Sequence, residues 1–184
     1  MHLSIAVPFH EYGGGGLLSG FLHPLLGLDH LLAMVAVGML SAQIGGRAIW
    51  TVPATFVSVM AIGGALGIAG VAVPGVEYLI TGSVIALGAT IVTGGRIPPW
   101  LAIGVVALFA LAHGNAHGTE LPAATNTLSL TVAYVSGFLI ATTCLHLIGV
   151  FLGMIAERRQ QGLQLLRVTG ALFVVAGFAL MAQL

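Results

Sequence analysis

The chain has 184 residues, of which 58% are apolar and only 5% charged, where soluble domains carry about 25% charged residues. Too little polar surface is left to coat a water-soluble globule. The formal net charge of +0 gives no basic face for nucleic acid, and the absence of lysine excludes a Walker A nucleotide site, a Schiff-base cofactor and a polybasic lipid patch.

The composition therefore reads as an all-α integral membrane protein, and the chain divides accordingly. Residues 1–16 read as an N-terminal tail outside the membrane, and 17–184 as one transmembrane domain. The tail has no positive n-region, and its apolar run is too short for a signal peptide; the chain either inserts without one or is a mature form. Within it, His2, His10 and Glu11 are solvated tail residues or a first point of metal capture. Six apolar segments follow, each near the ~20 residues a helix needs to span: Leu17–Gln43, Trp50–Val73, Glu77–Gly94, Pro98–His117, Leu128–Ile155 and Leu165–Leu184. Polar or Gly/Pro-rich breaks separate them, none long enough for a soluble domain. Six transmembrane helices in one bundle is the expected fold. The single cysteine, Cys144, cannot form an intrachain disulfide.

Arg47, Arg96, Arg158, Arg159 and Arg167 all fall in or beside alternate loops. The positive-inside rule then places both termini outside the cytoplasm. Under that topology the ionisable groups within the apolar segments collect in one layer. His23, Asp29 and His30 lie in the outer half of the first segment, Glu77 starts the third, and His113, His117 and Glu120 end the fourth. A simple duplication of three helices is not supported, because these polar clusters sit at opposite ends of their segments.

An ionisable side chain near hydrocarbon costs at least a few kcal/mol and marks a partner or a task. His113 and His117, at i, i+4, share a helix face about 6 Å apart. His23 and His30, at i, i+7, would lie about 10.5 Å apart along a regular helix. They reach one ion only if that helix breaks, and Pro24 and Gly27 lie between them. Imidazole with carboxylate suits nickel, cobalt, zinc or copper(II), whereas magnesium and calcium favour all-oxygen sites. The bland readings are an ion pair for Asp29–His30, a helix cap for Glu77, and helix-to-helix hydrogen bonding for His146. Met34, Met39, Met60, Met154 and Met181 read as core, and most of the 27 glycines, Gly63-x3-Gly67 and Gly114-x3-Gly118 among them, as packing positions.

His23-x5-Asp29-His30, followed by Leu31-Leu32-Ala33-Met34, resembles the first-helix signature of the HupE/UreJ nickel or cobalt permeases. The stretch His113-Gly114-Asn115-Ala116-His117-Gly118-Thr119-Glu120 resembles their fourth-helix signature, with Ala112 where the family usually has Phe. Pro74-Gly75-Val76-Glu77 is similar to the loop before their third helix. The likeness covers essentially the whole chain. It implies a secondary transporter of the bacterial inner membrane, not an enzyme, with the matching His, Asp and Glu residues handling the metal. No prosthetic group is expected; Ni²⁺ or Co²⁺, with Zn²⁺ open on ligand chemistry, is the cargo. The lipid bilayer is the other partner, with no nucleotide or nucleic acid. The competing expectation is an intramembrane zinc hydrolase using Glu77 or Glu120 as base.

Overall fold

The computed structural model describes residues 16–122 and 124–184. It is all-helical, with seven helices among the described residues: α1 Leu17–Leu26, α2 Leu28–Ile44, α3 Ala48–Ile68, α4 Val76–Val92, α5 Pro99–Thr119, α6 Leu128–Glu157 and α7 Gly162–Met181. Six apolar segments become seven helices because the first is broken. Gly27 adopts φ −82°, ψ 110°, and the axes of α1 and α2 meet at 83°. Pro24 sits inside α1 with no N–H to give, and Gly27, costly to hold helical, takes the extended conformation. Asp29 in the first turn of α2 favours a fresh helix start there. The break therefore falls at Gly27, three residues beyond the proline.

Four helices, α3, α5, α6 and α7, are long and apolar enough to cross a membrane, and the bent α1–α2 pair qualifies when taken together. The fourth helix, α4, is apolar but shorter, at 17 residues. Turn chemistry sets the boundaries. Gly45 and Gly46 take positive φ between α2 and α3, where a side chain would be strained. Pro99 opens α5 at its first turn, and the Thr127 hydroxyl caps α6 by accepting from Leu130 N at 3.3 Å.

Lipid offers no hydrophobic drive between helices, so close approach at small residues supplies the packing. The two glycine pairs noted at helical spacing pack against each other. A Cβ at Gly67 of α3 would stand 2.5 Å from Asn115 O of α5, and one at Gly114 of α5 would overlap the Met60 carbonyl of α3. Likewise α4 and α7 cross at Gly88 and Gly170, where a Cβ on either would lie 2.6–2.7 Å from the other's carbonyl oxygen. Around these contacts Met34, Val37, Phe56, Met60, Val84, Leu87, Val106 and Leu145 form the buried core. The core expectation holds for Met34, Met39 and Met60, while Met154 is exposed.

The two ends of the bundle differ. At one, Gln43 Nε2 donates to Ile91 O at 3.2 Å, and Gly95 and Gly94 back onto Gln43 and Leu163. This gathers the loops that carry Arg47, Arg96 and Arg158–Arg159. Trp50 and Trp100, in the first turns of α3 and α5, are exposed at the same end, as interfacial aromatics are. At the other end lie the start of α2 and the end of α5, with the imidazoles.

Candidate metal centre

Asp29 Oδ1 accepts two hydrogen bonds from the next residue, from His30 N at 2.8 Å and from His30 Nδ1 at 2.7 Å. Asp29 and His30 are the one carboxylate–imidazole pair in direct contact among the described residues. A carboxylate on Nδ1 fixes that nitrogen as the donor and leaves Nε2 with its lone pair. On α5, His113 Nδ1 donates to Phe109 O at 2.9 Å, which fixes the same tautomer. The Nε2 atoms of His30, His113 and His117 are all buried and without a hydrogen-bond partner among the described residues.

These three rings are neighbours. The His30 ring centre lies 4.4 Å from that of His117 and 5.1 Å from that of His113. The bend at Gly27 then brings in α1: His23 is 4.8 Å from His117 and 6.4 Å from His30, centre to centre. His113 and His117 are buried inside the bundle, whereas His23 is exposed at its mouth. As the rings now stand, no three His, Cys, Asp or Glu side chains among the described residues are already posed to hold a metal ion. The ring edges crowd one another instead, so coordination requires rotation about side-chain torsions.

The two glutamates sit at the rim. Glu77 is half-buried in the first turn of α4, near enough to Asp29, His30 and Glu120 for their charges to reach it. Glu120 is exposed at the C-terminal cap of α5. His2, His10 and Glu11 lie outside the described residues.

Several residues build the site without having stood out beforehand. Phe138 of α6 stacks at a tilt on His117 at 4.1 Å, Tyr134 is 6.0 Å from His23, and Phe56 of α3 is 5.5 Å from His113. Asn115, between the two α5 histidines, donates from Nδ2 to Val71 O at 2.6 Å and accepts from Val73 N at 2.9 Å. That clamp fixes the approach to α4, and hence Glu77, against α5. A cavity of about 130 Å³ bounded by Met60, Gly64, Gly114, His117, Tyr134 and Phe138 adjoins the cluster.

Histidines from both helical signatures are thus brought to one end of the bundle. The family described as HupE / UreJ protein matches residues 1–180. The chain belongs to the HupE/UreJ family. It is 46% identical over 166 residues to Protein HupE of Rhizobium leguminosarum bv. viciae, covering 90% of this chain and 84% of that one. No solved structure matches it. HupE/UreJ is a nickel/cobalt transporter family, and in such a family a divalent metal ion is cargo rather than a prosthetic group. Zinc, left open by ligand chemistry alone, gains no support from the family.

Proposed function

We propose that this HupE/UreJ chain is a permease that takes up Ni²⁺ or Co²⁺ across the bacterial inner membrane. The observation that carries the reading is the set of three buried Nε2 atoms, on His30, His113 and His117, that have no partner among the described residues. Neutral imidazoles with exposed lone pairs are borderline-soft ligands, suited to nickel and cobalt and poor for calcium or magnesium. An unpaired buried polar atom costs about 1–3 kcal/mol, and an arriving cation would recover that for all three.

In this reading α1 and α2 form one broken span and α4 a short one, giving six passes. The arginine-bearing loops face the cytoplasm and both termini lie outside. Residues 1–16 form the external tail, where His2, His10 and Glu11 would meet the ion first. Glu77 and Glu120 at the rim attract the hydrated cation, and His23 receives it at the mouth. His30 and His117 then replace its water, with Asp29 holding the His30 ring in register, and His113 passes it inward. An inside-negative potential contributes about 2.3 kcal/mol per charge per 100 mV, about 4.6 for a divalent ion, which suffices for accumulation without nucleotide. The hydrolase alternative would need Glu77 or Glu120 as its base, and both sit at the rim, half-buried and exposed respectively, rather than among the buried imidazoles.

The test is Ni²⁺ and Co²⁺ flux into sealed proteoliposomes. The wild-type chain is expected to carry both or one of them, and His30→Ala and His117→Ala to fall at least tenfold. Wild-type rates in both variants would sink the assignment.

A further inference from the structure

His146 stands apart from the cluster, and helix-to-helix hydrogen bonding does not explain it. It is 1% exposed, and neither ring nitrogen has a partner among the described residues. The hydroxyl of Thr142, one turn earlier and fully buried, is unpartnered as well. Residues at i, i+4 share a helix face, so one stripe of α6 presents an imidazole and a hydroxyl to the bundle interior. A helical threonine ordinarily satisfies its hydroxyl on the carbonyl four residues back. Thr143, the next residue, does so to Leu139 O at 2.8 Å, as do Thr81 to Glu77 O and Thr90 to Ala86 O. Thr142 does not.

The position of this stripe is as telling as its chemistry. Phe138 on α6 touches His117, and His146 lies eight residues further along, about 12 Å deeper at 1.5 Å per residue. The ring of Phe56 bridges the gap, with its centre 5.5 Å from that of His113 and 5.0 Å from that of His146. Both imidazoles meet it edge-on, so a turn of one aromatic ring separates the innermost histidine of the cluster from the next one down.

We propose that His146 and Thr142 form an inner transit site for the divalent cation, reached from His113 past the ring of Phe56. The inference rests on the permease reading and extends its path. One imidazole and one hydroxyl, with no carboxylate, give a weak site for a first-row divalent cation. Weakness is what a passage needs, since an ion must leave each station as readily as it arrives.

The experiment uses the full chain, purified and reconstituted, with Co²⁺ and Ni²⁺ as probes. Cobalt titration of the wild-type protein is expected to show a tight class of site and a weaker one. In His146→Leu the weaker class is lost, the tight class keeps its affinity within about twofold, and flux falls at least tenfold. If His146 merely packs against Phe56, leucine fills the space, and both the isotherm and the flux stay as in the wild type; that result overturns the proposal. Should His146→Leu also lose tight binding, His146→Gln, similar in volume and polar, decides by the same two readouts. A wild-type protein that binds cobalt but carries no ion would overturn the permease reading. The inner site would still be judged by the weaker cobalt class and its loss in His146→Leu.

Discussion

The rings of His23 and His30, seven residues apart in the chain, have centres 6.4 Å apart and meet at 78°. On an unbroken helix their backbones would be separated by about 10.5 Å. The difference is made by one extended residue, Gly27, and it places histidines from α1 and α2 against the same α5 residue, His117.

Gly27 is therefore a position where even a methyl group has a cost. A Cβ there would lie 3.1 Å from His30 Nδ1 and 3.2 Å from Asp29 Oδ1, crowding the bond that orients the ring. Gly27→Ala is expected to fold and to weaken cobalt binding several-fold, read as Kd by titration. An unchanged Kd would show that the pair yields without consequence.

Asp29→Asn tests the orienting role separately. The amide keeps the shape but loses the charge that holds His30 Nδ1 as donor. Removing such an outer partner typically costs 10- to 100-fold in metal affinity. A loss in that range is expected, smaller than for His30→Ala, and the two losses should not add in the double variant because they act through one ring.

Binding should respond to pH with a fixed sign. A cation on Nε2 requires that nitrogen to be unprotonated, so protons and metal compete. Affinity is expected to be highest at high pH and to fall as the pH is lowered and the imidazoles take up protons. The fall should approach tenfold per pH unit for each imidazole that must shed a proton. Kd measured at pH 7.5 and pH 5.5 checks this; tighter binding at the lower pH would contradict imidazole ligation.

Gly88→Val addresses the scaffold rather than the site. Side-chain atoms at this crossing would meet Gly170 O at 2.7 Å and Phe173 Cβ at 2.9 Å, and backbone cannot yield as a side-chain tip can. Overpacking of this kind costs about 1–3 kcal/mol. A lower unfolding temperature in detergent is expected, with cobalt affinity at the imidazole cluster retained in the folded fraction.

Much of this arrangement is legible before folding, because membrane spans and helical spacing are local properties. The apolar segments, the i, i+4 pair His113/His117 and the break between His23 and His30 all follow from short stretches of chain. What escapes is whatever depends on meeting across helices. Phe56, Phe138 and Tyr134 look like ordinary bundle residues until α3 and α6 bring them against imidazoles. Asn115 sits inside a recognisable signature, yet its clamp on residues 71 and 73 needs a loop more than 40 positions away. His146 reads as a hydrogen-bonding residue because histidine in lipid usually is one; only the packed bundle leaves both of its nitrogens without a bond among the described residues. The break is also placed more sharply by the fold, at Gly27, with Pro24 tolerated inside α1.

The 83° elbow has an electrical consequence. If α2 runs along the bilayer normal, the bend would lay α1 nearly in the membrane plane, and an ion bound at His30 would stand at the head of a helix of 17 residues, about 25 Å long. An aqueous mouth reaching the elbow would shorten the insulating layer, so most of the membrane voltage would drop below the imidazole cluster. Capture at His30 and His117 would then be nearly indifferent to voltage, whereas the jump toward Phe56 and beyond would carry almost the whole gating charge of the ion. Current–voltage curves of the reconstituted chain would report that asymmetry as a rate that steepens with potential while half-saturation stays put.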